Sequence, residues 1–244
     1  MTGGKDVTAD CGRGLLSNAE FGIGTVVREL GVFSSFLDLL FPPKCVFCRK
    51  ILNGGGALCP KCVETLPYTA CGGKLEGEVF DFCISPLYYS DVVRKSILRF
   101  KFRGAAAYAD VYGKMLADCI REHMHVKYDV ISWVPLSRKR KRSRGYDQAM
   151  LLALATALEL GDVAAETLIK PLEVGAQSNL SGKTERLENI SGAFEAADPE
   201  LVKGKCVLLI DDIVTTGATL SECARVLLSA GAGKIVCAAL ARGE

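Results

Sequence analysis

The sequence predicts an α/β fold, a mostly parallel twisted sheet flanked by helices, with a small N-terminal segment that binds zinc through four cysteines. Three observations predict it. From Pro86 onward, short apolar strands alternate with helical patterns, an order that implies a parallel sheet with helices on its faces. Ahead of them lies a glycine-containing stretch with paired cysteines and no long periodic run. Toward the carboxyl end, an apolar run meets two adjacent aspartates and a Thr-Thr-Gly turn in "VLLIDDIVTTGATL".

Composition sets the bounds. Of 244 residues, 49% are hydrophobic and 24% charged, enough to build a core and too apolar for a disordered chain. A net charge of +2 excludes wholesale attraction to nucleic acid or anionic lipid, so any basic preference is local. No stretch reaches the roughly 18 apolar residues of a membrane span, and the start lacks the pattern of a secretory signal. A soluble, cytoplasmic protein without membrane contact is expected.

The elements follow in order. The first two dozen residues are rich in Gly, Ser and Asn and are expected to be flexible. Val26, Val27, Leu30, Phe33, Phe36, Leu37 and Leu40 then recur at helical spacing, stopped by Pro42 and Pro43. This helix packs on the protein body or lies on a membrane surface; its few basic residues favour the former. Flexible start and amphipathic helix together span 1–44, the cysteine segment 45–85 and the sheet domain 86–244. In the last, "SDVVRKSILRF" and "AAAYADVYGKMLADCIREHM" read as helices and "DVISWVP" as a buried strand. "DQAMLLALATALEL" is a helix ended by Gly161, and "AETLIK" a strand. After a polar stretch to Gly192 come strand "CVLLI", helix "TLSECARVLLSAGA" and strand "KIVCAAL".

Of eleven cysteines, Cys119, Cys206, Cys223 and Cys237 stand singly in apolar segments and read as reduced core residues. Cys45, Cys48, Cys59 and Cys62 instead form C-x2-C…C-x2-C. Two such knuckles converge four thiolates on a structural zinc, whose binding, on the order of 10 kcal/mol, becomes folding energy. Two disulfides or a redox pair are the alternatives; cytoplasmic residence opposes the first, and a redox pair needs no twin.

In α/β sheets ligands bind beyond the carboxyl ends of the strands, and Asp211 and Asp212 sit at such an end. The helix after them starts near Ala218 or Thr219 and offers unpaired N–H groups to an anion. Gly217 lets the backbone approach a ligand, and Thr215, Thr216 and Thr219 supply hydroxyls to a phosphate. The carboxylates suit the vicinal hydroxyls of a ribose, or a magnesium ion beside it. The Lys of a Walker loop is missing.

This string resembles the phosphoribosyl-pyrophosphate (PRPP) motif of type I phosphoribosyltransferases. The resemblance implies the phosphoribosyltransferase fold, with Asp211 and Asp212 on the ribose hydroxyls. It also implies PRPP contacts along Ile213, Val214, Thr215, Thr216, Gly217, Ala218 and Thr219, the 5-phosphate lying in the turn.

"SRKRKRSRG" carries six basic residues from Arg138 to Arg144 directly after a strand ending in Val134-Pro135. It is a solvated charge run, a nucleic-acid patch or a pyrophosphate site. Its place at a strand end favours pyrophosphate contact by Leu136, Ser137, Arg138 and Arg144. The longer segment, with Arg144-Gly145-Tyr146-Asp147-Gln148, is similar to the ComF (GntX-like) branch of these transferases. Tyr and Asp stand here where Phe and Asn are usual, and Ser137 where His is common. Gln177, Leu180, Arg186, Asn189 and Phe194 fit the branch's polar loop, with Lys170 in place of its upstream Arg. A segment of this length between strands can act as a mobile loop carrying Lys170, Gln177 and Arg186, or be an ordinary exposed connection.

Together these resemblances imply transfer of a phosphoribosyl group from magnesium-bound PRPP to a nitrogenous acceptor, with Asp211, Asp212 and Arg138 catalytic. The branch's association with competence and DNA uptake implies a competing role. In that role the protein is a PRPP-sensing or single-stranded-DNA-binding adaptor, partnered by DNA or a protein of the competence machinery.

Overall fold

The computed structural model describes residues 42–52, 56–102, 106–171 and 192–243. The helix expected over 25–40 and the loop residues Gln177, Leu180, Arg186 and Asn189 lie outside the described residues.

Pro60, suited to a helix's first turn, opens α1 (Pro60–Thr65). A 3-10 turn leads to three short strands, β1 (Leu75–Glu76), β2 (Phe82–Ile84) and β3 (Leu87–Tyr88). Helix α2 (Asp91–Phe102) buries Val93, Ser96, Ile97 and Phe100, the three-and-four spacing of one helical face. Helix α3 (Tyr108–His123) precedes β4 (Val130–Trp133). The basic run forms a helix, α4 (Arg138–Arg144), which its polar sequence did not announce. Helix α5 (Gln148–Leu160) is capped by Asp147 and closed, as expected, by a left-handed Gly161. Gly113 of α3 lets the two helices meet closely, since a Cβ there would lie 2.6 Å from the Ala155 Cβ.

Strands β5 (Leu168–Ile169) and β6 (Glu195–Ala196) pair antiparallel across the polar segment, with Ile169 against Glu195. Then come β7 (Cys206–Val214), α6 (Ala218–Ser229) and β8 (Lys234–Arg242). The main sheet runs β1-β2-β8-β7-β4, with β3 also on β8. Only β1 joins it antiparallel. Residues 75–84, read with the cysteine segment, thus enter the sheet.

Apolar side chains fill both faces. Helices α2, α3 and α5 cover one together with Leu208, Ile210 and Val236, and α6 covers the other with Val207, Leu209 and Cys237. At the outer edge of β4, Ser132 and Thr167, both fully buried, satisfy each other at 2.7 Å between hydroxyls. The cysteine segment docks on the first face, where Phe47 meets Tyr112 at 5.9 Å between ring centroids. Among the described residues no helix is long and apolar enough to cross a membrane.

Candidate functional site

Strand pairing places the aspartates just past the end of β4. Trp133 pairs with Ile210, and the Val134 N–H donates to the Ile210 carbonyl at 3.0 Å. β7 runs four residues beyond that point, with Asp211 against Ala239 and Val214 against Arg242. The aspartates therefore belong to the strand itself, because pairing with β8 needs only backbone groups.

Successive side chains of a strand point to opposite faces. Leu208 and Ile210 face the first core, Val207 and Leu209 the second. Asp212 accordingly turns to the first face, where its buried carboxylate meets the Lys101 ammonium of α2 at 2.8 Å. Asp211 turns to the second face, near Cys83 and Cys223. The residue keeps some exposure at the rim, yet protein surrounds its carboxyl. That desolvation and the neighbouring Asp212 push it up to about 8, against the pull of Lys101 and a 2.7 Å hydrogen bond from the Asp212 N–H. The adjacent carboxyls thus hold different environments, and burial beside Asp212 holds the Asp211 carboxyl well above the ordinary carboxylate range.

The turn that follows exposes Thr215 and Thr216. Gly217 adopts a left-handed φ of 76° as the residue before α6, without a side-chain cap. A Cβ there would lie 3.1 Å from Phe80 Cζ, so the left-handed backbone favours glycine and any larger residue would crowd the Phe80 ring. Ala218 donates its N–H to Thr216 Oγ1 at 3.4 Å, and the first turn of α6, with Thr219, points its N–H groups at the rim. Ile213 is half-buried and Val214 buried; the Val214 carbonyl accepts from Gly243 at 2.8 Å.

Across the gap, the turn after β4 is tied down by Asp147. This buried carboxylate accepts from the Leu136 N–H at 2.8 Å and from the Met150 N–H at 3.2 Å. One group thereby caps α5 and fixes the turn. Ser137 caps α4, its hydroxyl oxygen accepting from Arg140 N–H at 3.4 Å. Arg138 is exposed at the start of α4, and no contact joins it to the aspartates among the described residues. Arg144, half-buried at its end, stacks over Phe102 at 4.8 Å and donates to Gln148 at 2.6 Å. Burial lowers its pKa, while Asp212 and Asp147 raise it against the neighbouring Arg140. Tyr146 donates its hydroxyl to the Phe100 carbonyl of α2. Lys170 lies over the Phe194 ring at 4.5 Å, where β5 and β6 bring the ends of the polar segment together.

Two participants escaped sequence reasoning. Lys101 stands eight residues after Val93 and four after Ile97, on the stripe that those residues bury. A cation at an apolar stripe position was the available signal. Phe80, which backs Gly217, has no motif at all.

The four cysteine sulfurs lie within 4.8 Å of one another, with Cys45, Cys59 and Cys62 buried. Zinc with four thiolates at about 2.3 Å needs sulfurs roughly 3.8 Å apart, and Cys48 and Cys59 stand at 3.5 Å. The donor set and spacing fit a structural zinc with no open position.

A double zinc ribbon domain matches residues 36–81, and a phosphoribosyl transferase domain matches residues 143–244. The competence protein ComFC of Bacillus subtilis is 34% identical over 208 residues, covering 80% of this chain and 82% of its own. The chain belongs to the ComF family. Competence protein F of Haemophilus influenzae is 29% identical, across 82% of this chain and 96% of its own length. The DNA utilization protein YhgH of Escherichia coli K12 is 27% identical, across 78% and 86%. Among solved structures, the glutamine PRPP amidotransferase of Bacillus subtilis overlaps 57% of this ComF chain and 30% of its own, at 22% identity and a TM-score of 0.41.

Proposed function

We propose that this protein binds magnesium-PRPP and transfers its phosphoribosyl group to a nitrogenous acceptor, releasing pyrophosphate. The observation that carries the reading is the acidic pair followed by the left-handed Gly217 turn at the carboxyl end of β7, within the stretch that matches a phosphoribosyl transferase domain. Asp211 and Asp212 receive the ribose hydroxyls, and the Thr215–Thr216–Gly217 turn with Ala218 and Thr219 receives the 5-phosphate.

In the reaction the C1–O bond breaks with its electron pair leaving on pyrophosphate, and the ribose takes on oxocarbenium character. The Asp212 carboxylate favours that positive charge. Ser137, whose oxygen already accepts from Arg140, keeps its proton free to donate to the leaving group, as does Arg144 from the same side of the gap, while Leu136, its N–H held by Asp147, fixes the turn that presents them. Arg138 is the further cation there. Magnesium, carried in with the substrate, supplies charge neutralisation to the pyrophosphate. The acceptor nitrogen closes the new C1–N bond and loses its proton to solvent.

A second reading rests on one observation. Arg138, Lys139, Arg140, Lys141 and Arg142 are all exposed on helix α4 beside the site, and relatives are named for competence and DNA utilization. An adaptor that binds PRPP and single-stranded DNA without turnover accounts for both. Pyrophosphate release, followed with magnesium-PRPP against a panel of bases and amines, separates the two. Release with one acceptor supports the transferase. Silence across the panel, with single-stranded DNA binding that weakens with salt and is lost in Arg140→Ala/Lys141→Ala/Arg142→Ala, supports the adaptor.

A further inference from the structure

We propose that Lys101 is a positioning residue of the phosphoribosyl site and that the first cysteine knuckle holds it in place through helix α2. The inference rests on the phosphoribosyl reading above but adds a physical link between the zinc segment and that site.

Three observations make the link. First, α2 is fastened to the knuckle at two points. Ser96 donates to the Val46 carbonyl at 2.6 Å, and one Arg99 nitrogen donates to the carbonyls of Val46 and Phe47 at 2.8 and 2.6 Å. These carbonyls lie between the ligands Cys45 and Cys48, so their positions depend on the turn that brings the two sulfurs together. Four thiolates around one zinc also carry a net negative charge, which favours the Arg99 guanidinium close by.

Second, Arg99 and Lys101 are two residues apart and therefore project about 200° apart around the helix axis. While Arg99 reaches the knuckle, Lys101 reaches Asp212 on the opposite side at 2.8 Å. The helix is a wedge between the two sites. Third, the same end of α2 is gripped from the pyrophosphate side. Tyr146 donates to the Phe100 carbonyl, and Arg144 stacks on Phe102. Lys101 thus sits where the knuckle, the acidic pair and the end of the basic helix α4 meet.

The geometry leaves Lys101 a defined task. Its ammonium occupies one oxygen of Asp212, which leaves the other oxygen to accept from a ribose hydroxyl and offsets a charge that would otherwise oppose an anionic ligand. A displaced α2 withdraws this cation, and Asp212 is left buried and unpaired. The cysteine segment therefore bears on ligand binding without touching the ligand.

Two readouts test this, one of them independent of PRPP. Acylation of Lys101 by an amine-reactive ester, quantified by mass spectrometry, reports whether the ammonium stays engaged. It is slow in the wild-type holoprotein and several-fold faster in Arg99→Met and in the milder Ser96→Ala, both still folded by circular dichroism. Calorimetry of magnesium-PRPP gives binding about tenfold weaker in Lys101→Met, as for a lost charged hydrogen bond. Lys101→Arg recovers most of it, and Arg99→Met weakens binding in the same direction. Unchanged labelling of Lys101 in both α2 variants overturns the link to the knuckle. Unchanged PRPP affinity in Lys101→Met, or no recovery by Arg, overturns its role in positioning. A wild type that binds no PRPP refutes the parent reading and with it that role, while the labelling still decides the link.

Discussion

Removing the carboxylate of Asp147 is expected to loosen both the core and the site. The residue is 3% exposed and accepts two backbone N–H groups, from Leu136 and Met150. Asp147→Ala removes the N-cap of α5, about 1 kcal/mol. It also strands the Leu136 N–H in a partly buried turn, about 1–2 kcal/mol more. The sum, roughly 2–3 kcal/mol, corresponds to a fall in melting temperature of roughly 5–10 °C for a chain of this size. Asp147→Asn keeps one acceptor oxygen but turns an amide NH2 toward the other N–H, so about half that loss is expected. Denaturant titration with thermal melts checks the series, and the order wild type, Asn, Ala is the signature. An Ala variant within about 0.5 kcal/mol of wild type, the range of surface changes, refutes the claim that one side chain holds cap and turn together.

Three further outcomes follow from the same geometry. Gly217→Ala forces a side chain into a left-handed conformation, costing about 1 kcal/mol or more, and against Phe80 at 3.1 Å. Thermal melts with Phe80→Leu added should recover only the steric part, leaving the backbone strain. Replacing Cys59 by Ser should remove one zinc per chain by elemental analysis and unfold the cysteine segment; a metal-free wild type that melts normally would contradict the site. Asp211, whose carboxyl is raised to about 8 from an ordinary value near 4, binds a proton in the folded state that the unfolded chain has released. Stability should therefore fall as pH rises from about 4 to about 8 and level off above it. Asp211→Asn should flatten that slope in pH-dependent denaturation, and an unchanged slope would refute the assignment.

Much of this arrangement was legible in the sequence because its signals are local. An apolar run, two aspartates and a glycine turn before a helix identify the β7–α6 junction through short-range sterics, and C-x2-C pairs act over a few residues. Gly161 ended α5 where the periodicity stopped. The basic helix α4 was hidden, since Ser137 and Gly145 cap a segment with no buried residue and hence no apolar period. Strands β1 to β3, two or three residues long, are too short to show alternation. Lys101 was invisible for a different reason: its partner lies 111 positions away, and only the folded sheet brings them together. The division of the aspartates between two faces likewise depends on the pairing of β7 with β8 past the end of β4.

The central claim is that Asp211, Asp212 and the Gly217 turn form a phosphoribosyl site, and its most direct test is the thermal stability of the full chain with magnesium-PRPP. A ligand at about 100 times its dissociation constant stabilises by about 2.7 kcal/mol, a rise of roughly 5–10 °C here. That rise is expected in the wild type and should vanish in Asp211→Asn/Asp212→Asn. A wild type that shows no shift, or a double variant that shifts as much, would contradict it.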